Sequence, residues 1–405
     1  MSKKIDLLLP PLHRQHFSGG VWCLIQYARG LANQGYDVRI VPMLPSPRPE
    51  WAPEVDGLTF VTEERAPHSR LFAMTWSLTR SLLPALLFFR KKQLLRTVLD
   101  FLIAFEQLFA PFLPFEFYRA HALAYIRSKA RETDVVIATF YETAVAAKFY
   151  PATRRLYFCQ HLEVLFYRDM VWGDLSRIDA EISYLLDLEV VANSSWLRQK
   201  LAERGLQAKL CCNAINKEFF SPPAQPATRK AGELILISYG GRNVDWKGFE
   251  EMAKAVAIAR AACPDLHIAW RVFGVAALPP ENAIATYEDL GFLQQHELGD
   301  AYRNADILLS ASWYESFPLF PLEAMACGLP VIATQPGTED FCRHLETAYV
   351  VTPRDERSIA AGIITLAKDK ALRERIAAAG LAESLRFDWP RSVARMQAII
   401  EGADE

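Results

Sequence analysis

Both halves of this chain open with a short apolar run that is followed by a glycine pair and then by a helix-like stretch. The run 5–9 begins the first half, and the run 234–238, followed by Gly240 and Gly241, begins the second. Short apolar runs that alternate with helical patterns are typical of buried parallel strands, because helices cover both faces of such a sheet. The alternation therefore predicts an α/β protein with two parallel halves.

The length of the chain and a Pro-rich passage predict where it divides into domains. A chain of 405 residues exceeds the size at which single hydrophobic cores stop growing, about 300 residues. The Pro-rich, polar passage 221–226 is the predicted linker, so the predicted domains are 1–220 and 221–388, with a terminal helix at 389–405. Predicted strands are 37–42, 134–139, 156–159 and 189–192 in the first half and runs near Leu234, His267, Ile307 and Val331 in the second, with an early helix near 21–34.

Composition narrows the class of protein. Hydrophobic residues make up 51% of the chain and the net charge is −2, so nothing in the overall charge favours binding to nucleic acid. The seven cysteines contain no C-x-x-C pair, which indicates neither a zinc site nor a disulfide framework. The apolar run at the N-terminus is too short for a signal peptide. We therefore predict a protein of the reducing cytoplasm.

A helical insertion is predicted at about 66–130. Leu, Phe and Ala dominate 71–89 and 98–117, and basic residues lie between these two runs. Charged residues and prolines interrupt both runs, so neither reaches the roughly 20 clean residues of a membrane-spanning helix. Two interpretations stay open. The helices could lie peripherally on the anionic inner leaflet, where a lipid-linked acceptor would be found, or they could pack on their own domain.

A pair of carboxylates follows a predicted strand of the second half. Glu315 and Glu323 stand with seven residues between them, Glu315 in a loop after the run 306–309 and Glu323 in the predicted first turn of a helix opened by Pro321. Loops at the carboxyl ends of parallel strands bind ligands in open α/β sheets. Two carboxylates there could accept hydrogen bonds from ribose and hexose hydroxyls. The alternative is that Glu323 only favours the helix dipole and that Glu315 is solvated.

A glycine turn with two basic residues follows the strand 234–238. Gly240 and Gly241 would let the backbone approach a ligand closely, Arg242 offers a planar fork to phosphate oxygens, and Lys247 adds a compact charge. Together these residues could neutralise a leaving diphosphate. An ordinary Gly-rich turn with solvated basic side chains is the alternative. The chain has no Asp-x-Asp motif beside this turn, and the two basic residues can supply a divalent ion's charge, so no metal or other cofactor is predicted.

The first half offers a second group of candidates. Gly19 and Gly20 precede a helix and could let backbone amides approach a sugar or acceptor, although a tight turn explains them equally well. His161 follows the strand 156–159, where a neutral imidazole could hydrogen-bond a sugar hydroxyl, and Glu163 could orient it. A purely structural histidine is the alternative interpretation.

Taken together, Gly241-Arg242, Lys247-Gly248 and the Glu315 and Glu323 pair resemble the donor site of family-4 retaining glycosyltransferases. The resemblance implies a GT-B fold, two Rossmann-like doubly wound domains that face a central cleft, with the terminal helix crossing back to the first domain. It implies that Arg242 and Lys247 bind the donor diphosphate, that Glu315 lies by the transferred sugar, and that Glu323 holds the ribose.

The donor loop departs from the family pattern in one respect. Ser316, Phe317 and Pro318 stand where the family has Gly-x-Gly, and Pro318 has no backbone N–H to donate. Ser316 and Phe317 are still expected to belong to the donor-binding loop. This departure keeps open a catalytically inactive homologue that binds a nucleotide sugar.

A weaker resemblance concerns the sugar. The stretch 155–167, with Glu181 and Tyr184 beyond it, is similar to bacterial rhamnosyltransferases of S-layer and polysaccharide assembly. The resemblances imply transfer of a hexose or deoxyhexose, with rhamnose favoured, from a nucleotide-diphosphate sugar to a saccharide or lipid-linked acceptor. Glu315, Arg242, Lys247 and His161 are the implied catalytic group. A nucleotide-sugar epimerase of the same fold is the alternative enzyme.

Overall fold

The computed structural model describes residues 2–14, 18–52, 58–61, 118–165, 173–224, 230–241, 244–274 and 284–403. The chain forms two compact units. The first unit contains Met1–Asn193, Arg198–Cys211 and Val393–Glu405, and the second contains Ser194–Leu197 and Cys212–Ser392. The chain therefore leaves the first unit briefly at 194–197, leaves it again at Cys212 to form most of the second unit, and returns at Val393 within its last helix.

A parallel sheet of seven strands forms the centre of the first unit. Its strands run in the order β3-β2-β1-β4-β5-β6-β7, and every neighbouring pair is parallel. Five of the six residues of β1 are buried, as expected for a strand that is covered on both faces. The strands are β1 Lys4–Leu9, β2 Asp37–Pro42, β3 Thr59–Phe60, β4 Thr133–Ala138, β5 Ala152–Cys159, β6 Glu189–Ala192 and β7 Ala208–Leu210.

Helices connect these strands. The helix α1 Gly19–Asn33 buries a mixed aliphatic and aromatic face that includes Trp22 and Tyr27. The following helices are α2 Tyr118–Lys129, α3 Tyr141–Lys148, α4 Gly173–Ser183 and α5 Ser195–Ala202, and a short 3-10 turn covers Glu163–Leu165. Because parallel neighbours need a crossover connection, helices between consecutive strands are what this sheet requires.

The second unit repeats the plan with six parallel strands. Their order is β10-β9-β8-β11-β12-β13, so the strand order reverses between β8 and β11. This is the strand order of a Rossmann-like sheet. The strands are β8 Glu233–Tyr239, β9 His267–Phe273, β10 Glu288–Gly291, β11 Ile307–Ser310, β12 Val331–Thr334 and β13 Tyr349–Val351.

Two apolar clusters, one packed around Trp270 and one around Tyr302 and Phe341, form the core of the second unit. Asp355 and Asp369 cap two of its helices by accepting hydrogen bonds from backbone N–H groups of the first turn. The helices are α6 Phe249–Ala262, α7 Gln295–Arg303, α8 Leu319–Ala326, α9 Glu356–Lys368 and α10 Lys370–Ser384, and α11 Trp389–Glu401 ends the chain; a 3-10 turn covers Asp245–Lys247.

The C-terminal part of α11 packs inside the first unit. A side chain at Gly30 of α1 would meet a Val393 methyl group at 2.3 Å, so the two helices are in close contact there. The Lys3 ammonium lies 2.6 Å from the Glu401 carboxylate, which also accepts a hydrogen bond from the Tyr36 hydroxyl. Residues near both chain ends thus contact each other within the first unit.

The predicted division into two parallel α/β halves is confirmed. Within the described parts of the chain no helix is long and apolar enough to cross a membrane. Most of the predicted insertion, residues 66–117, lies outside the described residues. Its two interpretations, contact with a membrane surface or packing on its own domain, both stay open.

Candidate functional site

The reversal of strand order in the second sheet marks the expected ligand position. In open α/β sheets ligands bind beyond the carboxyl ends of the strands at the point where the order reverses. Here that point lies between β8 and β11. The chain after β8 carries Gly240, Gly241 and Lys247, and the chain after β11 carries Glu315. The fold therefore brings both predicted groups of this half to the same edge of the sheet.

Lys247 and Glu315 form an ion pair at this edge. The ammonium contacts one carboxylate oxygen directly, and the Ser312 hydroxyl donates to the same oxygen at 3.0 Å. The two side chains are only 19% and 14% exposed, so water screens the pair less than it screens a surface pair. The Lys247 ammonium also lies 4.2 Å from the ring centre of Trp246. The interpretation of Glu315 as a solvated side chain is wrong.

Two glycines, Gly248 and Gly337, set the path of these loops. Gly248 has φ +71°, and a Cβ there would lie 2.2 Å from the Ala311 carbonyl oxygen. Gly337 has φ +91°, and its Cβ would lie 2.4 Å from the Glu315 carbonyl oxygen. Only glycine fits such close approaches. The backbone from Ala311 to Glu315 is therefore in close contact with two other segments, with Gly248 of one at Ala311 and Gly337 of the other at Glu315.

Glu323 is buried within α8. The residue is 4% exposed, and its Oε2 atom has no hydrogen-bond partner among the described residues. Burial raises the pKa of this carboxyl to about 8. An unpartnered buried carboxyl is costly, so this oxygen is a candidate acceptor for a hydrogen bond from a bound molecule.

The start of α8 differs from the prediction. The helix begins at Leu319, two residues before Pro321, and Pro318 is its N-cap. Glu323 consequently lies in the second turn, where the helix dipole contributes little. The expectation of a first-turn position was wrong, and with it the interpretation of Glu323 as a simple dipole partner. Phe320, three residues earlier on the same face of α8, lines the cleft that holds Lys247 and Glu315.

That cleft has an empty volume of about 350 Å³, counted with the open solvent at its mouth. Its lining combines the polar side chains of Lys247, Ser312 and Glu315 with the apolar surfaces of Tyr239 and Phe320. Polar groups that converge in an otherwise apolar recess are typical of small-molecule sites. A positive charge and a carboxylate that lie within one such recess can bind a phosphate and a hydroxyl side by side.

The loop from Ser316 to Pro318 is anchored by its middle residue. Phe317 is buried, and its ring packs against Phe341 and Phe387 with centroid distances of 5.5 and 5.7 Å. Its side chain thus holds the loop on the core, and any contact of Phe317 with a ligand would come from its backbone. Ser316 is buried as well.

The predicted glycine turn includes Gly240 and Arg242. The N–H of Gly240 donates to the Phe273 carbonyl oxygen at 2.8 Å, so this amide serves the sheet. Arg242 lies outside the described residues. Its expected role at the diphosphate stays a prediction.

The candidates of the first half lie in the first unit. Gly19 and Gly20 form the first turn of α1, and a Cβ at Gly20 would have no heavy atom within 4 Å. His161 and Glu163 follow β5, where both are buried. Whether these residues contact a sugar or an acceptor stays a prediction.

Glu163 is held by two tyrosines. Its carboxylate accepts a hydrogen bond of 2.6 Å from the Tyr157 hydroxyl, and its backbone N–H donates to the Tyr184 oxygen at 3.2 Å. Burial raises the pKa of the Glu163 carboxyl to about 8. Glu163 therefore joins the hydrogen-bonded interior of the first unit. Its expected role in orienting His161 stays a prediction. No cluster of three or more metal-ligating side chains occurs among the residues that the structure describes.

Part of the chain matches a known family. Residues 223–382, which contain Lys247, Glu315 and Glu323, match the family described as glycosyl transferases group 1. The expected glycosyltransferase domain is thus confirmed for this part of the chain.

Two curated relatives match part of the chain. The chain is 30% identical over 212 residues to a D-inositol 3-phosphate glycosyltransferase of Thermobispora bispora, which covers 47% of this chain and 49% of that protein. It is also 28% identical over 167 residues to a probable sucrose-phosphate synthase of Vicia faba. That match covers 40% of this chain and 14% of that protein. The chain thus spans about half the length, or less, of these curated relatives.

Two solved structures resemble the whole chain. A sucrose-phosphate synthase from Thermosynechococcus elongatus superposes with a TM-score of 0.71 at 17% identity, covering 99% of this chain and 98% of that one. HepE of Anabaena, solved with UDP and glucose, gives 0.69 at 16% identity, covering 98% and 99%. These likenesses confirm the predicted GT-B fold of two Rossmann-like domains. The likeness to rhamnosyltransferases stays a prediction.

Proposed function

We propose that the protein is a retaining glycosyltransferase that binds a nucleotide-diphosphate sugar in its second unit. One observation carries this proposal: Glu323 is a buried carboxylate with an unpartnered oxygen, and it lies one helical turn from the cleft of the Lys247 and Glu315 pair. A ribose supplies the hydroxyl donors that Glu323 lacks. A diphosphate supplies the anion that Lys247 can bind in place of Glu315.

The proposed reaction needs little covalent chemistry from the protein. The bond between the sugar's anomeric carbon and the diphosphate oxygen breaks, and the acceptor oxygen bonds to the same face of that carbon. The acceptor's proton passes to the departing phosphate, so no protein base is needed. Lys247, with Arg242 in the role implied by the resemblance, stabilises the charge that develops on the diphosphate. Glu315, once separated from Lys247, accepts a hydrogen bond from the transferred sugar.

The donor and acceptor are proposed by class. HepE has been solved with UDP and with UDP-glucose, which makes a UDP-hexose the first donor to test. A deoxyhexose such as rhamnose is the alternative donor sugar to test. The acceptor is proposed to be a saccharide or a lipid-linked saccharide used in assembling a cell-surface glycan. Relatives named for inositol 3-phosphate add phosphorylated polyols to the acceptors worth testing. A cytoplasmic location, peripheral to the membrane, fits such a reaction.

Two alternatives remain, an epimerase of the same fold and an inactive nucleotide-sugar binder. The match to group 1 glycosyltransferases favours transfer over epimerisation. Pro318, which lacks the amide donor of the family's loop, is the observation that favours an inactive binder. Product analysis separates the three, because they yield a new glycoside, an epimerised nucleotide sugar, or neither.

The first test is thermal unfolding with UDP, GDP, dTDP and ADP in turn. A ligand that binds only the folded protein raises the unfolding temperature by mass action. We expect one diphosphate to stabilise the wild type selectively and Lys247→Ala to abolish most of that shift. Lys254→Ala is the matched control, because Lys254 pairs with Glu250 on the surface of α6, outside the cleft lining. Absence of a shift with all four diphosphates would contradict the proposed donor site.

A further inference from the structure

One residue near the cleft has a strained backbone. Arg354 has φ 61°, and among the described residues only Leu345, at 58°, is another non-glycine residue with positive φ. Left-handed backbone is unfavourable for a residue with a Cβ, so surrounding contacts must hold it. Arg354 lies in the loop between β13 and α9, and its side chain is exposed. A contact of the Arg354 side chain is therefore expected to offset the strain of its backbone.

The contact of Arg354 is the ring of Trp313. The guanidinium carbon lies 3.7 Å from the ring centre, the distance of a stacked cation–π pair. A planar guanidinium can cover an indole face in a way that a lysine ammonium cannot. The strained backbone of Arg354 thus positions a planar cation on a half-buried tryptophan that lies two residues before Glu315.

Trp313 is held on two further sides. Its indole N–H donates to the Glu251 carboxylate of α6 at 2.8 Å, and its backbone N–H donates to the Trp246 carbonyl oxygen at 2.7 Å. Trp313 therefore ties the loop after β11 to α6, to the turn that carries Lys247, and, through Arg354, to the loop before α9.

The neighbours of the two charged residues reinforce this link. The Trp246 ring, one residue before Lys247, stacks on the Tyr314 ring, one residue before Glu315, with centroids 5.3 Å apart and an angle of 11° between the planes. Two contacts, a backbone hydrogen bond and a stacked ring pair, thus join the segments that present the ammonium and the carboxylate. The spacing of these two groups is set by Trp313 and its partners.

We propose that Arg354 and Trp313 act as positioning residues, which clamp the backbone of the Glu315 loop onto the Lys247 turn so that both segments present their charged groups to a donor from fixed positions. The inference rests on the proposed function. Affinity for the donor then depends on Arg354, which is not among the residues lining the cleft, through its stacked guanidinium and its strained backbone.

The test uses two substitutions that change the backbone in the same way. Arg354→Gly and Leu345→Gly each relieve a left-handed residue, but only the first removes the guanidinium from Trp313. Hydrogen exchange is measured at the amides of Trp313 and Glu315, both of which donate to backbone oxygens. We expect about tenfold faster exchange at these amides in Arg354→Gly and no change in Leu345→Gly.

Binding supplies the functional readout. With UDP as the probe, we expect Arg354→Gly to raise the dissociation constant by up to about fivefold, the limit reached if the whole energy of one cation–π contact serves to order the binding loop, and Leu345→Gly to leave it unchanged. Arg354→Lys should fall between wild type and Arg354→Gly. Equal exchange in the two glycine variants would overturn the clamp, and faster exchange with unchanged UDP affinity would reduce it to a structural contact. If the wild type does not bind UDP, the UDP-hexose assignment fails, while the exchange comparison still decides whether the clamp exists.

Discussion

Glu323 makes the affinity of the proposed donor site depend on pH. Burial raises the pKa of its carboxyl to about 8, so the free protein holds it mostly protonated at pH 6 to 7. A carboxylate that accepts hydrogen bonds from two ribose hydroxyls must be ionised, which means that binding releases a proton. The affinity for UDP should therefore rise as the pH increases towards 8 and level off above it.

The magnitude follows from the fraction of ionised carboxyl. With a pKa of about 8, about one carboxyl in a hundred is ionised at pH 6 and about half at pH 8, so the largest possible gain in affinity is about 50-fold. A protonated carboxyl can still accept one hydroxyl hydrogen bond through its carbonyl oxygen. We therefore expect a gain between about 10-fold and 50-fold over this interval.

Isothermal titration calorimetry of UDP at pH 6, 7 and 8, in buffers of different ionisation enthalpy, measures both the affinity and the released proton. The terminal phosphate of UDP itself titrates near pH 6, at about the second pKa of a phosphate ester. Glu323→Gln corrects for this, since the ligand is unchanged and the titrating carboxyl is absent. Parallel pH profiles for the wild type and Glu323→Gln would refute the reasoning.

Three further predictions concern the ion pair, a glycine and a second buried carboxyl. Glu315→Gln frees Lys247 for the diphosphate, so UDP should bind a few-fold more tightly while sugar transfer falls; unchanged or weaker UDP binding by calorimetry would contradict this. Gly337→Ala should lower stability by about 1–3 kcal/mol more than Gly328→Ala, because both have positive φ but only the first Cβ meets backbone, at 2.4 Å; urea unfolding of the two variants checks the difference. Glu163, with its folded pKa raised to about 8, takes up a proton on folding, so its contribution to stability falls as the pH rises from about 4.5 to 8, by up to about 1.4 kcal/mol per pH unit. In urea unfolding, Glu163→Gln should lose less stability between pH 5 and pH 8 than the wild type does. An equal loss in both proteins would contradict the assignment of this pH dependence to Glu163.

Sequence patterns predicted the central strands well. The strands at 37–42 and 189–192 have the predicted bounds, and the strand predicted at 134–139 is displaced by one residue. These strands are buried on both faces, so the apolar run and the strand coincide. The short strands β3, β7, β10 and β13 were missed, because two to four residues at the edges of a sheet show no periodicity.

The candidate site was predictable only where its chemistry is local in sequence. The spacing of Glu315 and Glu323 and the order of glycines and Lys247 were visible along the chain. The approach of Gly337 to Glu315 and the stacking of Arg354 on Trp313 join residues that are far apart in sequence, so no local pattern records them. The start of α8 was misplaced because a proline can occupy the third helical position as well as the first.

The packing of the last helix on α1 has a consequence for how the protein is made. Residues 212–392, most of the second unit, precede the last segment of the first unit, so the ribosome completes the second unit before it releases Val393 and the rest of α11. Until then the face of α1 at Gly30 lacks its cover. Domains generally fold as they emerge during synthesis, so the second unit should reach its native state first. A polypeptide halted just before residue 393 would hold an intact second unit and an apolar helix face on the first, which is the kind of surface that chaperones bind.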